Sequence, residues 1–164
     1  MLWVTMGMPG AGKTTWARRH ATETGATVIS SDAIRTDDVN PKQWFMRMHS
    51  SVEACLLEGT DVVVDACNTT TDQRRRWLEQ GKRHNARCTL VVLATPGKTA
   101  LERNLQRPSG QQVPHAKMLR YSEQFASATI VARSEAWDDV LVVGSATSDD
   151  VVRPVSTVQT SRTW

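Results

Sequence analysis

Five short apolar runs punctuate this chain: Leu2–Met6, Thr27–Ser30, Asp61–Asp65, Arg87–Ala94 and Asp139–Val143. The third to fifth are near-continuous valine and leucine rather than alternating, which is the pattern of parallel strands covered on both faces. Between them the period changes. Lys13 to Glu23 is free of Gly and Pro, with Ala and Arg at helical spacing. Asn40-Pro41 opens a second helix that runs to about Glu58 and stops at Gly59, and Thr70-x-x-Gln73 has the form of a capping box. Leu101 to Arg107 is helical up to the break at Pro108-Ser109-Gly110. A last helix from Pro114 to about Ala126 should turn Met118, Leu119, Tyr121 and Phe125 inward. Strands alternating with helices predict an α/β fold, a doubly wound, mostly parallel five-stranded sheet with helices on both faces. Residues 1–144 form one domain in this reading. Residues 145–164 are rich in Ser, Thr, Asp and Val without a period, which suggests a tail or a loosely added edge segment.

The junction between the first strand and the first helix carries the chemistry. Gly7-Met8-Pro9-Gly10-Ala11-Gly12-Lys13-Thr14 has the spacing G-x-x-x-x-G-K-T. Gly7, Gly10 and Gly12 can take the positive φ values of a tight loop, so that several backbone N–H groups, Ala11 among them, converge on one anion. Lys13 adds a point charge for the β and γ phosphates. The Thr14 hydroxyl can ligate Mg²⁺, and Thr15 follows in the first helical turn, whose positive end faces the phosphates. The expected ligands are ATP, or another nucleoside triphosphate, and Mg²⁺.

Composition narrows the rest. From a length of 164 residues, 40% hydrophobic and 23% charged, one core and no second catalytic domain are expected. The net charge of +3 permits an anionic substrate without requiring one. Cys55, Cys67 and Cys88 form no C-x-x-C pair, and the four histidines are scattered, so neither a disulfide framework nor a zinc site is indicated. The apolar start lacks preceding positive charges, and the longest apolar run falls far short of a membrane span; a cytoplasmic protein without a membrane partner is expected. D-x-x-G and N-K-x-D, which a regulatory GTPase should show, are absent.

Ligands of doubly wound sheets bind outside the carboxyl ends of the strands. The second strand ends in Ser30-Ser31-Asp32-Ala33-Ile34-Arg35. On a helical turn Asp32 and Arg35 share a face, offering a base for an acceptor hydroxyl and a fork for an acceptor anion, where a plain helix cap and a solvated charge are the alternative. Asp65, at the tip of the third strand, can hold a Mg²⁺-bound water or position Lys13, or can simply close a turn, and Asn68 follows it as a candidate substrate contact. Arg74-Arg75-Arg76 with Lys82 and Arg83 gives the next helix a basic face, either solvated or a contact for nucleic-acid phosphates. Arg103 and Arg107, at i and i+4 before the break, suit a lid that brings guanidinium groups onto a transferring phosphoryl group and excludes water.

The order G-M-P-G-A-G-K-T-T-W-A, S-S-D-A-I-R, V-V-V-D-A-C-N with R-R-R, E-R-N-L-Q-R-P with V-P, and E-A-W-D-D-V resembles the P-loop kinases related to phage polynucleotide 5′-hydroxyl kinase, over residues 1 to about 143. The resemblance implies a P-loop kinase fold with a helical lid and ATP-dependent transfer of the γ-phosphoryl group to a 5′-hydroxyl end of DNA or RNA. It also implies Lys13 and Thr14 for ATP and Mg²⁺, Asp32 as general base, Arg35 on the acceptor's phosphate and Arg107 as lid arginine. Kinases of hydroxymethyl groups on modified bases in DNA and small-metabolite kinases would share the phosphate-handling residues. A nucleotide-binding module without catalysis would share the loop alone.

Overall fold

The computed structural model describes residues 1–35 and 40–144; the segment expected to be a tail, 145–164, lies outside them. Five strands, β1 (Leu2–Met6), β2 (Thr27–Ser30), β3 (Val62–Asp65), β4 (Cys88–Ala94) and β5 (Asp139–Gly144), form one sheet in the order β2-β3-β1-β4-β5. Every pairing is parallel. The helices are α1 (Lys13–Thr24), α2 (Ser31–Ile34), α3 (Pro41–Leu57), α4 (Thr71–Arg83), α5 (Gly97–Leu105) and α6 (His115–Val131), with short 3₁₀ turns at Ser109–Gln111 and Ala132–Ser134.

The doubly wound fold expected from the alternating pattern is therefore present, and the pleat shows why the strands are apolar throughout. Leu2, Val4 and Met6 face one core with Met48 and Val52 of α3, Trp77 and Leu78 of α4 and Ala128 of α6. Trp3 faces the opposite core with Trp16 and Ala17 of α1, Ala100 of α5 and Met118 of α6. The helix ends follow local chemistry. Asn40 caps α3 by accepting from the Gln43 N–H at 3.0 Å, with Pro41 at the first helical position. Thr70 and Gln73 complete a capping box at the start of α4.

The last helix departs from expectation. It continues five residues past Ala126, because nothing from Ser127 to Val131 breaks a helix and Ala128 packs into the core. Leu119 is not inward but 55% exposed, whereas Met118 is buried and Phe125 touches both cores. Leu119 and Met118 are 100° apart on the helix, so burying one turns the other out. Among the described residues, no helix is long and apolar enough to cross a membrane.

Candidate functional site

The carboxyl ends of β1, β2 and β3 open on one cavity of about 520 Å³, lined by the Gly-rich loop, the start of α1, α2, the tip of β3 and the segment from α5 to α6. Of the sequence-predicted residues, Gly10, Ala11, Gly12, Lys13, Thr14, Thr15, Asp32, Arg35, Asp65, Arg103 and Arg107 all line it.

The loop is shaped by two left-handed glycines, Gly10 (φ 82°) and Gly12 (φ 92°). Gly7 is not left-handed, contrary to expectation; it is a matter of space, since a Cβ there would lie 3.1 Å from the Leu93 Cβ and 3.2 Å from the Leu93 carbonyl oxygen. Gly10 is tighter still: its Cβ would fall 2.3 Å from the Ala100 carbonyl oxygen of α5. The loop is also bonded to its neighbours. Gly7 N–H donates to the Cys67 carbonyl (3.0 Å), and the buried Thr95 hydroxyl donates to the Ala11 carbonyl (2.9 Å). Lys13 is buried, and its Nζ donates to the Met8 carbonyl at 2.7 Å. No side chain caps α1 and no acidic residue sits in its first turn, so the N–H groups of that turn are left to an anion in the cavity.

Asp65 sits beside this cradle and is buried. Its Oδ2 accepts from the Thr14 hydroxyl (2.7 Å) and the Ser30 hydroxyl (3.1 Å), drawing three hard oxygen donors together at the edge of the phosphate site. Ser30 was legible only as part of S-S-D, because its role needs β2 and β3 in register, Ser30 opposite Asp65.

Asp32 and Arg35 are both exposed and line the same cavity. Asp32 lies in the first turn of α2, and Arg35 is the extended residue that ends it, with its guanidinium 4.8 Å from the Trp44 ring centroid. Tyr121, expected in the core, is half-buried and lines the same cavity, as do Cys67 and Gln73. Burial raises the Tyr121 pKa, helped by the neighbouring Cys67 and opposed by Arg35, so the phenol stays a neutral donor and acceptor. Trp44 and Tyr121 carried no sequence signal, since each reaches the cavity only through the docking of its helix.

The segment after α5 is laced by two amides. Asn104 is buried and exchanges hydrogen bonds with Val113, donating to its carbonyl (2.8 Å) and accepting from its N–H (2.9 Å). Gln112 donates to the carbonyls of Leu105 (3.0 Å) and Arg107 (2.8 Å). Because α5 ends at Leu105, Arg107 lies beyond the helix rather than one turn above Arg103. Both arginines nevertheless reach the cavity, and Arg103 Nη1 lies 3.8 Å from where a Cβ on Gly12 would be.

Two expectations are corrected. Asn68 is no substrate contact: it is buried and does not line the cavity, and its side chain is spent within the chain. Its Nδ2 donates to the Thr5 carbonyl (2.8 Å) and its Oδ1 accepts from Trp77 Nε1 (3.0 Å). Arg74 does not belong to a basic face. It is fully buried in a salt bridge to Glu135 at 2.6 Å, with Trp137 donating to the same carboxylate.

A family model described as AAA domain matches residues 2–128. Among solved structures, a gluconokinase from Sinorhizobium meliloti 1021 aligns with a TM-score of 0.63 at 19% identity, covering 88% of this chain and 82% of that one. A chain of the Pnkp1/Rnl/Hen1 RNA repair complex aligns with a TM-score of 0.68 at 22% identity over 79% of this chain, which spans 45% of that longer one. Kti12 from Chaetomium thermophilum, in complex with ADP-AlF3, aligns with a TM-score of 0.64 at 17% identity over 92% of this chain and 91% of that one. At these identities the likeness is one of fold, a P-loop, kinase-type α/β architecture.

Proposed function

The chain belongs to the AAA domain family, and from that premise we propose that it is an ATP-dependent kinase that transfers the γ-phosphoryl group to the 5′-hydroxyl end of DNA or RNA. The observation that carries this reading is that one cavity is lined both by the phosphate-loop cradle and by Asp32 and Arg35. A binding module without catalysis has no use for a carboxylate and a guanidinium in the cavity that holds its phosphates.

In this reading the amides of the loop and of the first turn of α1 hold the β and γ phosphates. A phosphate oxygen replaces the Met8 carbonyl as acceptor for Lys13 Nζ. Asp32 accepts the proton of the acceptor hydroxyl as its oxygen bonds to the γ phosphorus and the bond to ADP breaks. Arg35 grips the phosphate 3′ of the reacting nucleoside, and Arg107, with Arg103, neutralises charge on the transferring group from the lid side. The oxygen donors Thr14, Asp65 and Ser30 fit Mg²⁺, which favours one or two carboxylates plus substrate phosphates over an all-protein cage. Thr14 would hold it directly and Asp65 through water, and when bound it supplies neutralisation of the phosphate charge.

The fold relative in an RNA repair complex agrees with a polynucleotide acceptor, and the gluconokinase relative with a small alcohol. Incubation with γ-labelled ATP and a panel of 5′-hydroxyl DNA, 5′-hydroxyl RNA, hydroxymethyl-base DNA and small alcohols separates these. Label on the 5′ end is expected, falling by roughly 10²- to 10⁴-fold in Asp32→Asn with ATP binding retained. Label on a base or on a sugar acid instead would replace the polynucleotide reading. Undiminished turnover in Asp32→Asn would remove the base.

A further inference from the structure

We propose that the surface of α3 and α4 beside the acceptor end of the cavity is a track for the single strand that follows the reacting 5′ nucleotide. The inference rests on the polynucleotide reading above and adds where the rest of the strand lies.

Arg74-Arg75-Arg76 resolves into three different fates. Arg74 is buried on Glu135. Arg75 is exposed and neutralised by Asp72 at 2.9 Å and Glu79 at 3.9 Å. Arg76 is exposed, and among the described residues it makes no ion pair; its guanidinium lies over the Phe45 ring, 5.5 Å from the centroid. Arg35 repeats this arrangement over Trp44 at 4.8 Å, also without an ion pair among the described residues. Trp44 and Phe45 are adjacent in sequence, with centroids 6.0 Å apart. The result is two guanidinium groups, each over one of two neighbouring rings whose planes stand 80° apart, on a surface that joins the cavity through Arg35, Trp44 and Gln73, the last of which lies one helical turn before Arg76 on α4.

Chemically this surface suits one kind of partner. A guanidinium held over a ring keeps N–H groups free for phosphate oxygens, and the ring and guanidinium together offer planar surface to a base. Cations interleaved with planar groups are what single strands bind without sequence preference. A small metabolite would fill the cavity and leave Arg76 with nothing to do. Among the described residues of α3 and α4, Asp72 and Glu79 pair with Arg75 and Glu53 lies 3.3 Å from His84, so these carboxylates are engaged away from Arg76.

The test uses the full chain, a non-hydrolysable ATP analogue and a ladder of fluorescent 5′-hydroxyl oligothymidylates read by anisotropy. Phosphorylation of a nucleoside 3′-monophosphate is measured in parallel. Affinity should rise by at least about tenfold as the strand lengthens by a few nucleotides and then level off. Arg76→Ala should erase most of that gain, lower the slope of log K against log salt by about 0.7, and leave turnover on the 3′-monophosphate unchanged. Phe45→Tyr should keep the gain and Phe45→Leu, which removes the backing ring but not the charge, should lose part of it. A length gain that survives Arg76→Ala, or a loss equal on monomer and oligomer, overturns the track. Failure of the wild type to phosphorylate any nucleic-acid acceptor overturns the polynucleotide reading instead. Oligonucleotide binding that still depends on Arg76 sustains the track in that event, and its absence overturns both.

Discussion

Replacing Gly10 with alanine tests whether the phosphate loop and the lid are built as one unit. The new Cβ would lie 2.3 Å from the Ala100 carbonyl oxygen, a separation real Cβ atoms do not show, and the obstacle is backbone that cannot rotate away. Loop and α5 must part by more than half an ångström. The φ of 82° adds about 1–2 kcal/mol for any residue with a Cβ, and overpacking adds roughly 1–3 kcal/mol. For a domain of this size each kcal/mol is worth about 2–4 °C, so Tm should fall on the order of 10 °C. Gly12→Ala is the control. Its φ of 92° carries the same conformational cost, but its Cβ would meet only Arg103 Nη1, at 3.8 Å, so a loss of a few degrees is expected. Since α5 carries Arg103 and leads to Arg107, Gly10→Ala should also lower turnover at saturating ATP, by about 10²-fold if the lid moves by about 1 Å. Thermal denaturation of both variants, with turnover measured below either midpoint, decides it. Equal Tm losses, or wild-type turnover in Gly10→Ala, would refute the coupling.

Asp65→Asn keeps the shape of the Thr14–Asp65–Ser30 cluster but removes its charge, so the Mg²⁺ concentration for half-maximal transfer should rise several-fold with little change in Tm; an unchanged Mg²⁺ response would make Asp65 a brace for Thr14. Arg74→Leu leaves the Glu135 carboxylate without its partner and should cost about 3–5 kcal/mol by denaturant unfolding. The same pair governs acid stability. Burial alone would raise the Glu135 pKa, but hydrogen bonds from Arg74 and Trp137 outweigh it and the net shift is downward. The bridge therefore stabilises fully above the unfolded carboxyl range and is lost as pH falls through the lower folded pKa. Between about pH 6 and 3, Tm should drop with a slope that Arg74→Leu flattens, and an unaltered slope would place the acid sensitivity elsewhere.

What the sequence made legible was whatever is encoded locally. The strands were readable because burial on both faces leaves no polar positions in Val62–Val64 or Leu90–Leu93, and the cradle because its geometry needs glycine at fixed offsets. The wall proposed for the acceptor was half legible: Asp32 and Arg35 are encoded by a turn after a strand, whereas Trp44 and Tyr121 depend on how α3 and α6 dock. Asn68 and Arg74 misled for a common reason. Polar residues in a loop and in a basic run look solvent-facing, and only the fold shows that Thr5, Trp77 and Glu135 wait for them in the interior. Gly7 misled differently, since sequence cannot separate a glycine needed for φ from one needed for space.

The internal braces explain how such a site holds its geometry. Asn68, in a left-handed turn at φ 46°, takes the Thr5 carbonyl on one end of its amide and the Trp77 indole on the other, while its own carbonyl accepts from Arg74 Nη1 at 3.1 Å. One residue thus joins β1, two positions before the phosphate loop, to the turn after β3 and to α4. The tie continues outward. Trp77 stacks on His49 with centroids 3.7 Å apart, and His49 lies 4.4 Å from Phe45, the ring beneath Arg76. Burial lowers the His49 pKa, so the ring in that stack is neutral near pH 7 and adds no charge to repel the arginine. Phosphoryl transfer depends on placing donor and acceptor to within a fraction of an ångström, because the protein has little covalent chemistry to contribute. A path of packed and hydrogen-bonded groups from Thr5 to Phe45 ties the strand that feeds the phosphate loop to α3, whose Trp44 lines the same cavity. On the other side of the loop, Asn104 and Gln112 lace the segment carrying Arg107 to α5, and α5 meets the loop where Ala100 lies against Gly10, so that segment is tied to the cradle as well.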